Sequence, residues 1–171
     1  MKVTDNFVYF WSGFPSNWTK CEIEIESPID HSKKQFHSSE QLFMYYKAIF
    51  FNDHETADKI LNCGEDPKKA KALGRQVKNF NNEAWNGVRL MYMIKANMYK
   101  YTQNEELKKL LLSDKYKGKS FAEASPVDNI WGIGIHEDDA SDDTSNWKGQ
   151  NLLGKALDTV RMRILKQNGE D

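Results

Sequence analysis

The chain lacks nearly everything that would staple or tether it. Its 171 residues hold two cysteines, Cys21 and Cys63, with no CxxC pair and no Cys/His cluster. Neither a disulfide framework nor a zinc knuckle is encoded, and both thiols read as reduced. No apolar run approaches the roughly 20 residues that cross a bilayer, and Met1-Lys2-Val3-Thr4-Asp5 lacks the apolar centre of a secretion signal. These absences predict a cytoplasmic protein without a membrane partner. An excess of one charge is missing too, since 24 basic residues face 25 acidic ones. That balance argues against a dedicated nucleic-acid clamp, while an arginine and a few backbone amides suffice for a nucleotide. There is no Walker loop, GxSxG elbow or GxGxxG turn, and His31, His37, His54 and His136 show no metal-ligand spacing. No metal and no cofactor is called for.

What is present suits one packed domain over residues 1–171, with 39% apolar and 12% aromatic residues. Phe7-Val8-Tyr9-Phe10-Trp11 is β-prone, Cys21 to Glu26 alternates polar and apolar residues, and Lys34-Gln35-Phe36-His37 follows a turn. A small antiparallel sheet is expected from these. From Ser38 the period becomes helical. Ser38 and Gln41 have capping-box spacing, so a helix should start just before Glu40 and run to about Phe51. Asp53 caps a second helix through Leu61, Asp66-Pro67 opens a third toward Arg75, and Asn82 caps a longer one. That longer helix should bury Trp85, Val88, Tyr92, Ala96 and Tyr99. A short helix spans Glu105 to Leu112, and a last one carries Leu153, Leu157, Val160 and Ile164. Residues 113–148 have little periodicity and read as a functional or disordered loop. The fold class is therefore mainly α (α+β), a compact helical domain with a small N-terminal antiparallel sheet.

Several polar residues sit where core positions want apolar ones. Glu40, Phe43, Lys47 and Phe50 share one helix face by steps of three and four. A partly desolvated acid and amine two turns apart suit proton transfer or nucleophilic attack; an edge pair with its heads in water has the same spacing. Asp128 stands three residues before Trp131, with Gly132 and Gly134 following, which is either a ligand-binding turn or an aspartate bonded to its own backbone. Trp85 is core or a stacking platform, and Gly74-Arg75 is a packing site or a phosphate-reading fork. Asn151 is the cap of the last helix or a ligand contact from its anion-favouring end. The acidic stretch 137–143 lacks the calcium-hand pattern and reads as a solvated loop.

Taken in order, these pieces resemble the NADAR superfamily of YbiA-like N-glycosidases. The motifs are Ser16-Asn17-Trp18, Phe36-His37-Ser38-Ser39-Glu40 with Lys47-Ala48, Gly74-Arg75 and Trp85. They continue through Glu123 with Ser125-Pro126, Asp128 to Gly134, and Gly149 to Gly154 with Arg161. The resemblance implies a mainly helical protein that hydrolyses the C1–N bond between a (phospho)ribose or ADP-ribose and a base. Riboflavin-pathway intermediates and ADP-ribosylated guanine are the implied substrates. The implied partner is a nucleotide-like small molecule, with ADP-ribosylated nucleic acid as the larger form. Carried over by motif, Glu40, Lys47 and Asp128 are the catalytic candidates, Lys47 as the amine of a Schiff-base route. Ser16, Asn17, Gly74, Arg75, Trp85, Trp131, Gly132 and Asn151 are the substrate-binding candidates. A non-catalytic sensor of NAD or ADP-ribose is the alternative. The chain departs from the pattern in Trp18, where relatives favour phenylalanine, and in its long acidic insertion at residues 137–145.

Overall fold

A computed structural model describes residues 1–169. Along the chain run β1 (Lys2–Val3), β2 (Phe7–Phe10), β3 (Ile23–Glu26) and β4 (Lys33–Phe36). Then come α1 (Ser39–Phe50), α2 (His54–Leu61), α3 (Pro67–Gly74), α4 (Asn82–Thr102) and α5 (Glu105–Leu111). The order ends with β5 (Ser120–Glu123) and α6 (Leu152–Gln167). The fold is α+β and mainly helical, as expected. Among the described residues no helix is long and apolar enough to cross a membrane. Two units organise the chain, one of Met1–Ser16 with residues 106–169 and one of Asn17–Glu105.

The strands do not share one antiparallel sheet. In the first unit the order is β1-β2-β5, with β2 antiparallel to β1 and parallel to β5. In the second unit β3 and β4 form an antiparallel pair by themselves. Burial explains the division. Val8, Tyr9 and Phe10 are all fully buried, as a central strand covered on both faces requires, whereas β3 alternates buried Ile23 and Ile25 with exposed Glu24 and Glu26. The partner β5 comes from the segment that shows no periodicity in sequence, because Phe121 and Ala122 are both buried and a four-residue strand leaves no alternation to read.

Both sheets close an outer edge with side-chain amides. Alongside β3, Gln103 accepts from the Glu24 N–H (2.7 Å) and donates to the Glu24 carbonyl (2.8 Å). Asn104 does the same for Glu22, at 3.2 and 2.9 Å. Alongside β5, Asn151 accepts from the Glu123 N–H and donates to the Phe121 carbonyl, both at 3.1 Å. Asp158 of α6 takes the Phe121 N–H at 3.0 Å. Each carboxamide supplies one donor and one acceptor, so it serves the backbone as a neighbouring strand would. Bringing α6 this close needs Gly154, where an added Cβ would lie 2.1 Å from the Phe121 carbonyl oxygen and 2.4 Å from the Asn151 amide nitrogen.

The helix caps follow the sequence closely. Asp53 and Asp66 accept from the amides of Thr56 and Lys68, at 3.0 and 2.9 Å. The cap of α4 is Asn81, one residue earlier than expected, bonded to the Ala84 N–H at 2.9 Å. The buried face of α4 is turned as well. It presents Trp85, Met93, Ala96, Asn97, Lys100 and Tyr101, leaving Val88, Tyr92 and Tyr99 half-buried. The sequence stripe misses this face because two of its members are polar. Lys100 is fully enclosed, and burial pulls its amine down from 10.5 to about 7, against the opposing pull of the Cys21 thiol.

Two measurements test these placements. Gly154→Ala should destabilise the protein by roughly 1–3 kcal/mol in urea titrations, because its new methyl meets backbone. Gly87→Ala, in the middle of α4 with nothing within 4 Å of the added carbon, should instead stabilise it by about 0.5–1 kcal/mol. Equal effects of the two would discredit the packing. For Lys100, the unfolded chain keeps its proton between about pH 7 and 10.5 while the folded chain has lost it. Stability should therefore rise with pH across that window, by up to about 1.4 kcal/mol per unit. In Lys100→Met this contribution disappears, so wild type should gain on the variant from pH 7 to 9; parallel curves would refute the buried amine.

Candidate functional site

Of the residues singled out in sequence, the second unit holds Asn17, Glu40, Lys47, Gly74, Arg75 and Trp85, and α1 organises them. Ser38 caps this helix, accepting from the Gln41 N–H at 3.1 Å, and Gln41 returns the bond one residue early, accepting from His37 N–H at 2.8 Å. Gln41 also donates to the Ile60 carbonyl of α2 at 2.9 Å. The first eight residues of α1 are all buried. Asn17 fixes its start from the other side. Its carbonyl accepts the Glu40 N–H at 3.1 Å, and its side-chain oxygen accepts from Ser39 Oγ at 2.9 Å and Asn97 Nδ2 at 3.3 Å. Its Nδ2 faces the Met93 sulfur at 3.2 Å.

Glu40 lies in the first turn of α1 and is only 7% exposed. The positive end of the helix dipole at that turn favours its negative charge. Lys47 follows seven residues later, a rise of about 10.5 Å along the axis, on the same face. Helical side chains lean toward the N-terminus, so the lysine stem tilts back in the direction of the acid. Its Nζ donates to the Gly74 carbonyl at 2.9 Å, at the negative end of α3, and stands 4.7 Å from the centre of the Phe80 ring. Lys47 is half-buried, and that burial holds its amine below the ordinary lysine range. The Glu40 charge opposes the shift and the Arg75 charge adds to it. The result is a buried acid and an amine of lowered basicity within reach of each other's field.

Gly74 is a packing position, since a Cβ there would fall 2.0 Å from the Met44 sulfur. The close approach of α3 to α1 is what brings the Gly74 carbonyl to Lys47. Arg75 caps the C-terminal end of α3 and is exposed, so its guanidinium fork faces solvent. Trp85 is 6% exposed and enclosed by other rings. Phe43 lies at 5.4 Å, Tyr92 at 5.9 Å in a stacked arrangement, Phe50 at 6.0 Å and Phe51 at 6.1 Å. In the structure it is the centre of an aromatic cluster.

The first unit holds Ser16, Asp128, Trp131, Gly132 and Asn151. Ser16 is buried and donates its N–H to the Gly13 carbonyl at 3.0 Å. Asp128 Oδ1 accepts from the amides of Ile130 (2.9 Å) and Trp131 (2.8 Å), closing a turn on its own backbone. Residues 130–132 then run beside the start of α6. The carbonyls of Ile130, Trp131 and Gly132 accept from the amides of Leu152, Leu153 and Asn151, at 3.0 to 3.1 Å. Gly132 and Gly149 allow this approach, a Cβ on Gly149 landing 2.2 Å from the Gly132 carbonyl oxygen. Amides that would otherwise attract an anion to the head of α6 are thus spent on the loop. Asn151, held in a left-handed conformation, caps nothing with its side chain, which is committed to β5.

Three residues of the second unit carry weight that motif and spacing did not single out. Asn97 and Lys100 could have been noticed as polar residues next to the apolar positions of α4. Phe80, one residue before a helix cap, offers no such signal. The acidic stretch 137–143 forms turns instead of a metal cradle. Among the described residues the grouping of possible metal ligands is Glu22, His37 and Glu65, two of them exposed, with Lys20 already paired to Glu65 at 2.8 Å.

Comparison with known proteins gives a consistent picture. The family model described as the NADAR domain matches residues 9–165. A protein of Acanthamoeba polyphaga mimivirus named N-glycosidase R617 is 40% identical over 169 residues, covering 92% of this chain and 96% of that protein. Protein irg-1 of Caenorhabditis elegans is 38% identical over 161 residues, covering 91% of this chain and 74% of its own length. Among solved structures, that of the E. coli protein YbiA superposes with a TM-score of 0.74 at 26% identity, covering 99% of this chain and 91% of YbiA.

The electrostatics of Lys47 can be read directly. With lysines carrying 13C-methyl groups, NMR titration should place the Lys47 midpoint below the usual 10.5. Glu40→Gln should lower it further and Arg75→Gln should raise it, since each removes one of the two charges acting on the amine. A midpoint equal to that of exposed lysines, unmoved by either change, would contradict the arrangement.

Proposed function

This chain belongs to the NADAR domain family, and we propose that it is an N-glycosidase cleaving the C1–N bond between a ribose-type sugar and a base. The observation that carries the reading is the Glu40–Lys47 pair, a buried carboxylate and a half-buried amine of lowered basicity on one face of α1. The naming of the viral relative supports the reaction class. For the substrate, ADP-ribose on guanine or a phosphoribosyl intermediate of the riboflavin pathway fits a site with one exposed arginine fork and no basic excess.

The reaction follows from the charges. Departure of the base with the bonding electrons leaves positive charge shared between C1 and the ring oxygen, which the Glu40 carboxylate stabilises. Lys47, once its ammonium has given up a proton, attacks C1. The ring C–O bond then opens, the ring oxygen takes a proton, and C1 remains as a protonated imine on Nζ. Water adds to that imine and expels the lysine, so the sum is sugar–base plus water giving free sugar and protonated base. Arg75 pairs with phosphate. Asp128, Trp131, Gly132, Ser16, Asn17 and Asn151 enter the proposal on the resemblance alone, Asp128 as a partner of sugar hydroxyls.

Purified protein should release base from at least one member of a panel of nucleosides, riboflavin-pathway intermediates and DNA bearing ADP-ribosylated guanine. Glu40→Gln should slow release by on the order of a hundredfold or more. Cyanoborohydride added during turnover should reduce the imine and leave the sugar's mass on Lys47, with no adduct in Lys47→Ala. If both variants fold and turn over at the wild-type rate, the assignment is wrong. Tight binding of ADP-ribose without release of base over hours would make the protein a sensor.

A further inference from the structure

We propose that Glu22, His37 and Glu65 form a site for a divalent transition-metal ion, best matched by zinc, which clips three segments of the second unit together. None of the three takes part in the glycosidase reading, and the site is independent of it. Their ligand atoms, one from each side chain, all lie within 4.8 Å of one another. They come from separate parts of the chain. Glu22 precedes β3, His37 follows β4, and Glu65 lies between α2 and α3. Ile23 pairs with Phe36 at the end of the β3–β4 ladder, so Glu22 and His37 are the next residues across it. The His37 Nδ1 and the Glu22 Oε1 are 3.1 Å apart.

The backbone that carries these ligands is already tied down. Asn104 brackets Glu22 from both sides, through its N–H and its carbonyl. His37 donates its N–H to Gln41 Oε1 at 2.8 Å, and its carbonyl accepts from the Cys21 N–H at 2.9 Å. Next to Glu65, Asp66 caps α3 by accepting from the Lys68 N–H at 2.9 Å. Binding an ion then has side-chain rotamers left to order and little of the main chain.

Surface ion pairs are the plainer reading of such contacts, and the far end of the same ladder shows what one looks like. There His31 Nδ1 lies 3.2 Å from Glu26 Oε1, both side chains are exposed, and among the described residues no third metal ligand joins them. At the Glu22 end a third ligand arrives from a distant loop, and the His37 side chain is only 28% exposed. The cluster also draws a cation of the chain's own, since the Lys20 ammonium stands 2.8 Å from Glu65 Oε2. Two carboxylates face that one ammonium, which leaves a negative charge unmet. Imidazole with carboxylates is a donor set for zinc, whereas magnesium and calcium prefer oxygen alone. A tetrahedral zinc with bonds of about 2.0–2.1 Å holds its ligand atoms about 3.3 Å apart, close to the His37–Glu22 separation. Glu65 closes the set by a rotamer change of its exposed stem as Lys20 swings away, and water fills the fourth position.

Calorimetry on the tag-free full chain should show one Zn2+ bound, and no Mg2+ at the same concentrations. His37→Gln and Glu65→Gln should each weaken zinc binding by more than about tenfold, since losing a group that merely orients a ligand already costs that much. Lys20→Gln should tighten binding, because the ammonium competes for Glu65. His31→Gln, at the simple pair, and Cys63→Ser, which removes the nearby thiol, should bind as wild type does. Zinc should raise the melting temperature of wild type and leave that of His37→Gln unmoved; melts without metal establish that each variant folds. Co2+ should give the visible absorption of a tetrahedral ion with no thiolate band. The proposal is overturned by a wild type that binds no zinc, by affinity that survives His37→Gln and Glu65→Gln, by affinity lost in Cys63→Ser, or by a Lys20→Gln that fails to tighten.

Discussion

The hydrogen bond from the Glu40 amide to the Asn17 carbonyl, 3.1 Å long, sets the position from which α1 begins. A helix whose first eight residues are all buried cannot leave its N-terminal amides to water, so each has to find a protein partner. Ser38, Gln41 and Asn17 supply or receive those bonds, and Asn97 and Ser39 hold Asn17 in turn. The backbone that carries Glu40 is consequently placed by a network of neutral groups. The same rigid helix then fixes how far away Lys47 can stand, and α3 meets it with a carbonyl and an arginine.

The amine and the acid thus share one scaffold while their environments pull in different directions. Burial disfavours the ammonium, the carboxylate favours it, and the arginine disfavours it again. Burial is the strongest of these influences, so the lysine stays below its ordinary range.

Much of this was legible in the residues themselves. The starts of α1, α2 and α3 follow from Ser38, Asp53 and Asp66, because a cap is a local bond that short-range pattern records. The facing of Glu40 and Lys47 follows from their spacing of seven. What could not be read depends on partners distant in sequence. β5 is a strand because β2 accepts it and because Asn151 and Asp158 serve its far edge. Asp128 and Asn151, both conspicuous as polar residues beside glycines, turn out to bond to backbone, one to its own turn and one to β5. Phe80 shows the converse, a residue with no distinguishing neighbours whose meaning comes entirely from the amine above it.

The side-chain closure of β3 and β5 bears on how the protein behaves in company. A sheet edge left open is a template on which a second chain can add a strand, the first step of aggregation. Here each outer edge is blunted by its own means: Gln103 and Asn104 occupy β3, and Asn151 with Asp158 occupies β5. β4 carries Lys33 and Lys34, and β1 is two residues long. The chain can therefore keep two very small sheets at high concentration without offering either of them to a neighbour.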